Sequence, residues 1–370
     1  MLDFQNPMRF LTCLFILVSF GLLAQNKEAK SYTIDANYFY GSILPHNNNI
    51  LHLIKGHPEG MILSFNRKTF GLKKWESWYN YPDYGLSFQC QNNKNEVLGD
   101  LYSLYAHFNF YFLKRRLQLR VGQGIAYNTN PYDRETNYRN LAYGARYMPS
   151  TYFMLNYHKP NIWKGFGVQT GVNFVHHSNA NLRSPNTSTN TVTFNFGVNY
   201  TLNAEKMPHY QFHEKEKFTE PIRYNFVFRS GINESDIINS GQYPFYVASI
   251  YADKRINQKS AFQFGADVFW MKYMKEYIHF QHVAYPEMKY SESIDYRRIG
   301  VLVGHELFIN KLAVDTQIGC YVYDPAKKFG AVYQRLGAKY YITKNVSAGL
   351  SLKTHMASAE ALEFGLGIRL

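Results

Sequence analysis

Apolar and polar residues alternate with a period of two along most of this chain. In 104–113, Leu104, Ala106, Phe108, Phe110 and Phe112 oppose Tyr105, His107, Asn109 and Tyr111. In 192–200, Val192, Phe194, Phe196, Val198 and Tyr200 oppose Thr193, Asn195, Gly197 and Asn199. The last run sets Leu362, Phe364, Leu366, Ile368 and Leu370 against Glu363, Gly365, Gly367 and Arg369. A strand sends successive side chains to opposite faces, so each run predicts a strand with one apolar face and one polar or glycine face. Sixteen such runs follow one another, near 31–43, 59–69, 83–92, 100–113, 116–128, 139–158, 163–178, 188–202, 222–235, 243–256, 260–275, 295–310, 311–325, 329–343, 346–357 and 360–370. After residue 25 no helical span of about 18 or more apolar residues occurs.

One apolar face over about ten residues, repeated many times, is the pattern of an antiparallel transmembrane β-barrel. A soluble sandwich shows the same period. The N-terminus favours the barrel. Met8-Arg9 precedes the apolar run Phe10 to Leu23, and Ala24 stands before a polar stretch, which predicts a secretory signal over 1–24. The apolar faces are rich in Phe and Tyr, and the last residues alternate to an apolar end. A closed barrel also leaves no strand edge unpaired in lipid. With some runs expected to merge, the pattern predicts an all-β chain. It would be a single outer-membrane barrel over 25–370, of about 14 strands within a range of roughly 12 to 16.

Longer polar connections fall at 44–58, 70–82, 129–138, 203–221 and 276–294. If the first strand rises from the periplasm, the loop after 163–178 is extracellular. The same count puts 203–221, the most charged segment, on the periplasmic side, where turns are usually short. The aromatic group Trp75, Trp78, Tyr79, Tyr81 and Tyr84 reads as part of an interfacial girdle.

Composition agrees with a barrel. Mean hydropathy is −0.36, too low for a helical membrane protein, while 32 Tyr and 28 Phe suit half-apolar strands. The net charge of +13 is compatible with nucleic acid, an anionic lipid or a phosphate-bearing glycolipid, and equally with a surface bias that has no partner; for an exported barrel no nucleic acid is expected. With Cys13 inside the signal, Cys90 and Cys320 remain, as one bridge or two thiols. No His-Glu-x-x-His or clustered Cys/His spacing supports a metal, and no cofactor motif is present. Gly122-x-Gly124 lies within a strand with no helix after it, so it is no dinucleotide loop. Glu360 and Glu363 could bind Ca²⁺ or nothing, and a polar lumen accounts for Glu363; His305 lies in an alternating run and His355 precedes the final hairpin.

One stretch carries candidate chemistry. In VNFVHHSNANLRSPNTSTNTVTFNFGVNY, residues 172–200, His176 and Ser178 share the parity of Val172 and Phe174. Asn190 shares the parity of Val192 and Phe194 on the next run. A serine nucleophile needs a base in reach, and the base needs an orienting group. His176 can serve Ser178, Asn190 can orient His176, and Asn179 and Asn186 can offer donors to an oxyanion. His177 has the opposite parity and reads as a structural, lumen-facing residue.

The segment FVHHSNANLRSPNTSTN resembles the outer-membrane lipid A 3-O-deacylases, the acyloxyacyl hydrolase-like family. His176, Ser178 and Asn179 match its His-x-Ser-Asn, and Pro185-Asn186 matches its Pro-Asn pair. The resemblance implies a barrel whose lipid-facing wall carries a Ser-His-acid triad that cleaves an ester-linked acyl chain of lipid A. It makes His176 the base, Ser178 the nucleophile, and lipid A or lipopolysaccharide in the outer leaflet the partner. The family has an acidic residue twelve positions after the serine, where this chain has Asn190. An amide can fix the imidazole tautomer but brings no negative charge. The close match covers about 25 residues. Beyond it the chain resembles the larger members from Bacteroidetes-type bacteria, which extend past the motif at both ends. Compact members look like eight-stranded barrels. A non-catalytic barrel, pore or structural, retaining a vestigial motif is the alternative, and a soluble glycan-binding sandwich a third reading.

Overall fold

Alternation becomes sixteen strands in the computed structural model, which describes residues 31–370 apart from 46, 215, 216, 219, 289 and 357. The expected signal, 1–24, lies outside the described residues. The first eight strands are β1 (Tyr32–Ile43), β2 (Glu59–Arg67), β3 (Asp83–Asn92), β4 (Leu101–Phe112), β5 (Leu117–Asn128), β6 (Tyr147–Trp163), β7 (Phe166–His177) and β8 (Thr189–Thr201). The second eight are β9 (Arg223–Glu234), β10 (Gln242–Arg255), β11 (Ser260–Met271), β12 (Arg297–Ile309), β13 (Leu312–Tyr323), β14 (Val332–Tyr341), β15 (Val346–His355) and β16 (Ser358–Arg369). Each predicted run forms one strand and none merges.

The expected single ring of about 14 strands is corrected by the pairing. β1 closes on β8, with Ile34 opposite Tyr200 and Tyr38 opposite Phe196. β9 closes on β16, with Phe228 opposite Leu366. The result is two closed antiparallel barrels of eight strands each. The long segment between β8 and β9 joins the barrels, which removes the conflict over its length. The run expected from residue 139 starts as a strand only at Tyr147. Before it, Asn137 Nδ2 donates to Val97 O and Asn130 O at 3.0 and 2.9 Å, and Asn140 Nδ2 donates to Asn130 O at 2.8 Å. Those side-chain bonds hold the backbone in a loop.

Parity sorts the side chains. Leu104, Phe194, Phe196, Phe264, Phe364 and Leu366 are exposed on the outer walls, with Phe194 75 % exposed. Their inward neighbours are buried, and eight strands leave an interior just wide enough for side chains to fill. In the first barrel Arg120 forks onto Asp35 at 3.0 and 2.6 Å. In the second, Arg335 bridges Asp267 at 2.8 Å and Glu363 at 2.7 Å, and Glu360 takes Arg298 and Lys353. Glu360 and Glu363 are thus occupied by cations of the lumen.

Strand glycines make room for these fillings. A Cβ on Gly122 would lie 2.0 Å from a ring carbon of Tyr152, and one on Gly319 would lie 2.1 Å from Tyr333. α1 (Lys74–Trp78) lies in the β2–β3 connection and α2 (Tyr273–Ala284) in the β11–β12 connection. Tyr273, Met274 and Ile278 of α2 join Phe269, Tyr321 and Tyr333 in one buried cluster. No helix among the described residues is long and apolar enough to cross a membrane.

In each barrel, short turns collect at one end and most of the long loops at the other. The barrels touch at both ends. At the short-turn end, Tyr79 Oη donates to Phe308 O at 2.6 Å, and the Lys259 ammonium sits 4.3 Å from the Tyr79 ring. Part of the aromatic group read as a girdle is therefore an inter-barrel contact. At the long-loop end, the 178–188 loop meets the ends of β9 and β10.

Candidate active site at the mouth of the first barrel

β7 and β8 pair in a register that sets His176 opposite Asn190. Both side chains leave the outer face, on the row shared with exposed Val172, Val192 and Phe194. His176 Nδ1 lies 2.7 Å from Asn190 Oδ1. An amide oxygen only accepts, so Nδ1 donates this bond, and in the neutral ring Nε2 then keeps its lone pair. That is the tautomer a general base toward a hydroxyl requires.

Ser178 stands just past the end of β7, so strand parity no longer fixes its direction. The chain turns through positive φ at Ala180 (53°) and Asn181 (62°). Ser178 is only 6 % exposed and is not displayed on the wall as its parity suggested. Its hydroxyl donates to Asn186 Oδ1 at 3.1 Å, and Ala180 N–H donates to Ser178 Oγ at 3.2 Å. Asn179 N–H donates to the same Asn186 oxygen at 2.9 Å. The Asn179 amide then ties the loop to itself, donating to Arg183 O at 2.5 Å and Pro185 O at 3.3 Å. One carbonyl oxygen, that of Asn186, thus gathers Ser178 and Asn179. The structure brings His176 together with Asn190, and Ser178 together with Asn179 and Asn186.

The neighbouring loop 129–146 supports this turn. Thr187 N–H donates to Leu141 O and Ser188 N–H to Ala142 O, each at 3.1 Å. The Tyr143 and Thr189 hydroxyls are 2.5 Å apart. In the same loop, hydrogen bonds to Thr136 and Glu135, with a smaller contribution from the Arg183 charge, hold the Asp133 carboxyl below its usual range.

Other histidines have other settings. His177 points into the lumen, fully buried, with Nε2 3.4 Å from Ser103 Oγ. His57 Nδ1 lies 2.9 Å from Ser42 Oγ on the outer wall, but also 3.1 Å from Gly41 O. A carbonyl at that distance requires Nδ1–H, so His57 does not act as a base on Ser42 through this nitrogen. His355 stacks on Phe329 at 4.1 Å and meets Tyr321 Oη at 2.9 Å. Cys90 and Cys320 are free thiols on β3 and β13, one in each barrel. The sequence reading missed Glu234 and Ser184, which meet across the two barrels (2.9 Å). No local pattern marks either residue.

Comparison with known proteins divides the chain as the barrels do. The family model for lipid A 3-O-deacylase matches residues 59–199, and that for the C-terminal domain of acyloxyacyl hydrolase matches 222–370. No curated protein matches the chain. Solved structures similar to it include an engineered Rh. blastica porin at 9 % identity, covering 92 % of this chain and 100 % of that one with a TM-score of 0.18. Pseudomonas aeruginosa OccK2 is similar at 10 % identity, covering 92 % of this chain and 96 % of that one with a TM-score of 0.22. Scores this low carry no argument about fold or function.

Proposed function

This chain belongs to the lipid A 3-O-deacylase family of outer-membrane β-barrel hydrolases, and from that premise we propose that it removes an ester-linked acyl chain from lipid A through Ser178, His176 and Asn190. The observation that carries the reading is the His176 Nδ1–H bond to Asn190 Oδ1, 2.7 Å long, on an apolar outer wall two residues before Ser178 in the chain. A substrate whose acyl chains lie in the bilayer must be met from such a wall. Barrels of this kind carry their longer loops outside, which supports a site at the outer leaflet. The export signal read over 1–24 supplies the route there.

The chemistry runs through an acyl-enzyme. The Ser178 hydroxyl proton turns from Asn186 Oδ1 to His176 Nε2 as Oγ attacks the ester carbonyl carbon. Asn190 holds the imidazole, and the Asn186 amide is the donor assigned to the developing oxyanion, because Asn179 spends its N–H on Asn186 Oδ1 and its amide on Arg183 O and Pro185 O. The tetrahedral intermediate collapses, the sugar oxygen takes the proton from His176, and the acyl group stays on Ser178. Water then gives a proton to His176 and attacks the acyl carbon. The fatty acid leaves as the proton returns to Ser178. Phe174, Val192 and Phe194 offer the acyl chain an apolar surface, and exposed Arg183 suits a lipid A phosphate.

A second reading, a structural barrel with a vestigial motif, draws on Asn190 having no charge and Ser178 being 6 % exposed. Both barrels being filled with side chains counts against its pore version. A fluorophosphonate probe separates the readings. The deacylase reading expects an adduct mapped to the peptide containing Ser178, lost in Ser178→Ala and strongly slowed in His176→Ala. An adduct-free Ser178, or labelling that ignores His176, favours the vestigial motif.

A further inference from the structure

The loop that carries the nucleophile is held by the other barrel, at Glu234. Glu234 ends β9 and is 3 % exposed. Its Oε2 accepts from Ser184 N–H at 2.9 Å and its Oε1 from Gly241 N–H at 3.2 Å. Its backbone N–H donates to Asn181 O at 3.0 Å, and its carbonyl accepts from Asn181 Nδ2 at 3.2 Å. Around this pair, Ser184 Oγ donates to Ser235 O at 2.5 Å and Gln242 Nε2 donates to Leu182 O at 2.7 Å. Asn181, Leu182 and Ser184 are thus all seated on the second barrel.

That segment is the span between Ser178-Asn179 and Asn186. Asn179 Nδ2 donates to Arg183 O within it, and Asn186 Oδ1 reaches back to Ser178 and Asn179. The β7–β8 connection, 178–188, is longer than the two to five residues usual for a hairpin. A loop of that length has many conformations to lose before it presents one. Carboxylate bonds to backbone N–H groups are among the stronger hydrogen bonds, and a buried site screens them little.

We propose that Glu234 is a positioning residue and that the second barrel clamps the nucleophile loop of the first. The inference rests on the deacylase reading for its catalytic consequence. The clamp supplies by contact across the barrels the order that a short hairpin would have by itself. The catalytic unit is then the pair of barrels, although every group assigned to the chemistry lies on the first.

The full chain with Glu234→Ala and Glu234→Gln tests this in two ways. Amide exchange in the 181–186 peptide should quicken in the alanine variant, while the strands of both barrels keep wild-type protection. The kcat for fatty-acid release should fall about 10- to 100-fold, the scale expected for a misplacement near 1 Å, with KM for lipid A little changed. Glutamine keeps an oxygen for Ser184 N–H and should restore most of both. Wild-type exchange at 181–186 in Glu234→Ala overturns the clamp, and wild-type kcat with quickened exchange overturns the positioning role. A wild-type protein that releases no fatty acid refutes the deacylase reading, and the exchange measurement still decides the clamp.

Discussion

At the scale of single residues, the account turns on Asn190. Its amide oxygen does what a triad carboxylate does for geometry, accepting from His176 Nδ1–H at 2.7 Å. It does not supply charge to the imidazolium that the proposed deprotonation of Ser178 would form. In a serine protease, removing that charge and the tautomer control lowers kcat by about 10⁴. Aspartate at 190 keeps the reach of asparagine and adds the charge, so Asn190→Asp should raise kcat by about tenfold or more. Glutamate is one methylene longer and should gain less unless the wall relaxes. Unchanged or lower turnover in Asn190→Asp, measured on protein folded as wild type, contradicts the claim that a missing charge at this position limits the reaction. The contact of His176 with Asn190 could be anticipated, because both lie within strands and parity with one register decides it. The burial of Ser178 could not. β7 ends at His177, and beyond it the turn at Ala180 and Asn181 sets direction.

At the scale of elements, the strands were legible one by one. Alternation such as Phe108, Phe110 and Phe112 against His107, Asn109 and Tyr111 records which face meets lipid and which meets the lumen. What fills the lumen was not legible, because the partners lie far apart in the chain. Arg120 on β5 meets Asp35 on β1, 85 residues away. Both are buried, so removing Asp35 leaves the Arg120 charge with only the neutral oxygens of Ser64, Asn66 and Asn109. Asp35→Ala should destabilise the first barrel by about 3–5 kcal/mol, read as a shift in its urea unfolding in bilayers. A variant as stable as wild type would mean that water or a neighbouring side chain takes over Arg120. Similarly, Tyr152 over Gly122 and Tyr333 over Gly319 could not be paired from the sequence, although a glycine within a strand signals that another group approaches closely.

At the scale of the whole molecule, the missing information is closure. An outward apolar face reads the same in an eight-stranded ring as in one twice that size, so alternation counts strands without saying which edges meet. Merging runs to reach a single barrel of about 14 strands was the error, and the long segment 203–221 was the clue to a boundary. Two rings change the functional picture. The proposed site is at the mouth of one barrel, at the end where the other holds the 178–188 loop through Glu234 and Ser235. The most direct test of the central claim uses purified full-length protein and lipid A in mixed micelles, with masses read before and after incubation. The account predicts loss of one ester-linked acyl chain with wild type and an unchanged lipid A with Ser178→Ala. Identical lipid A masses with both proteins, each folded, would contradict it.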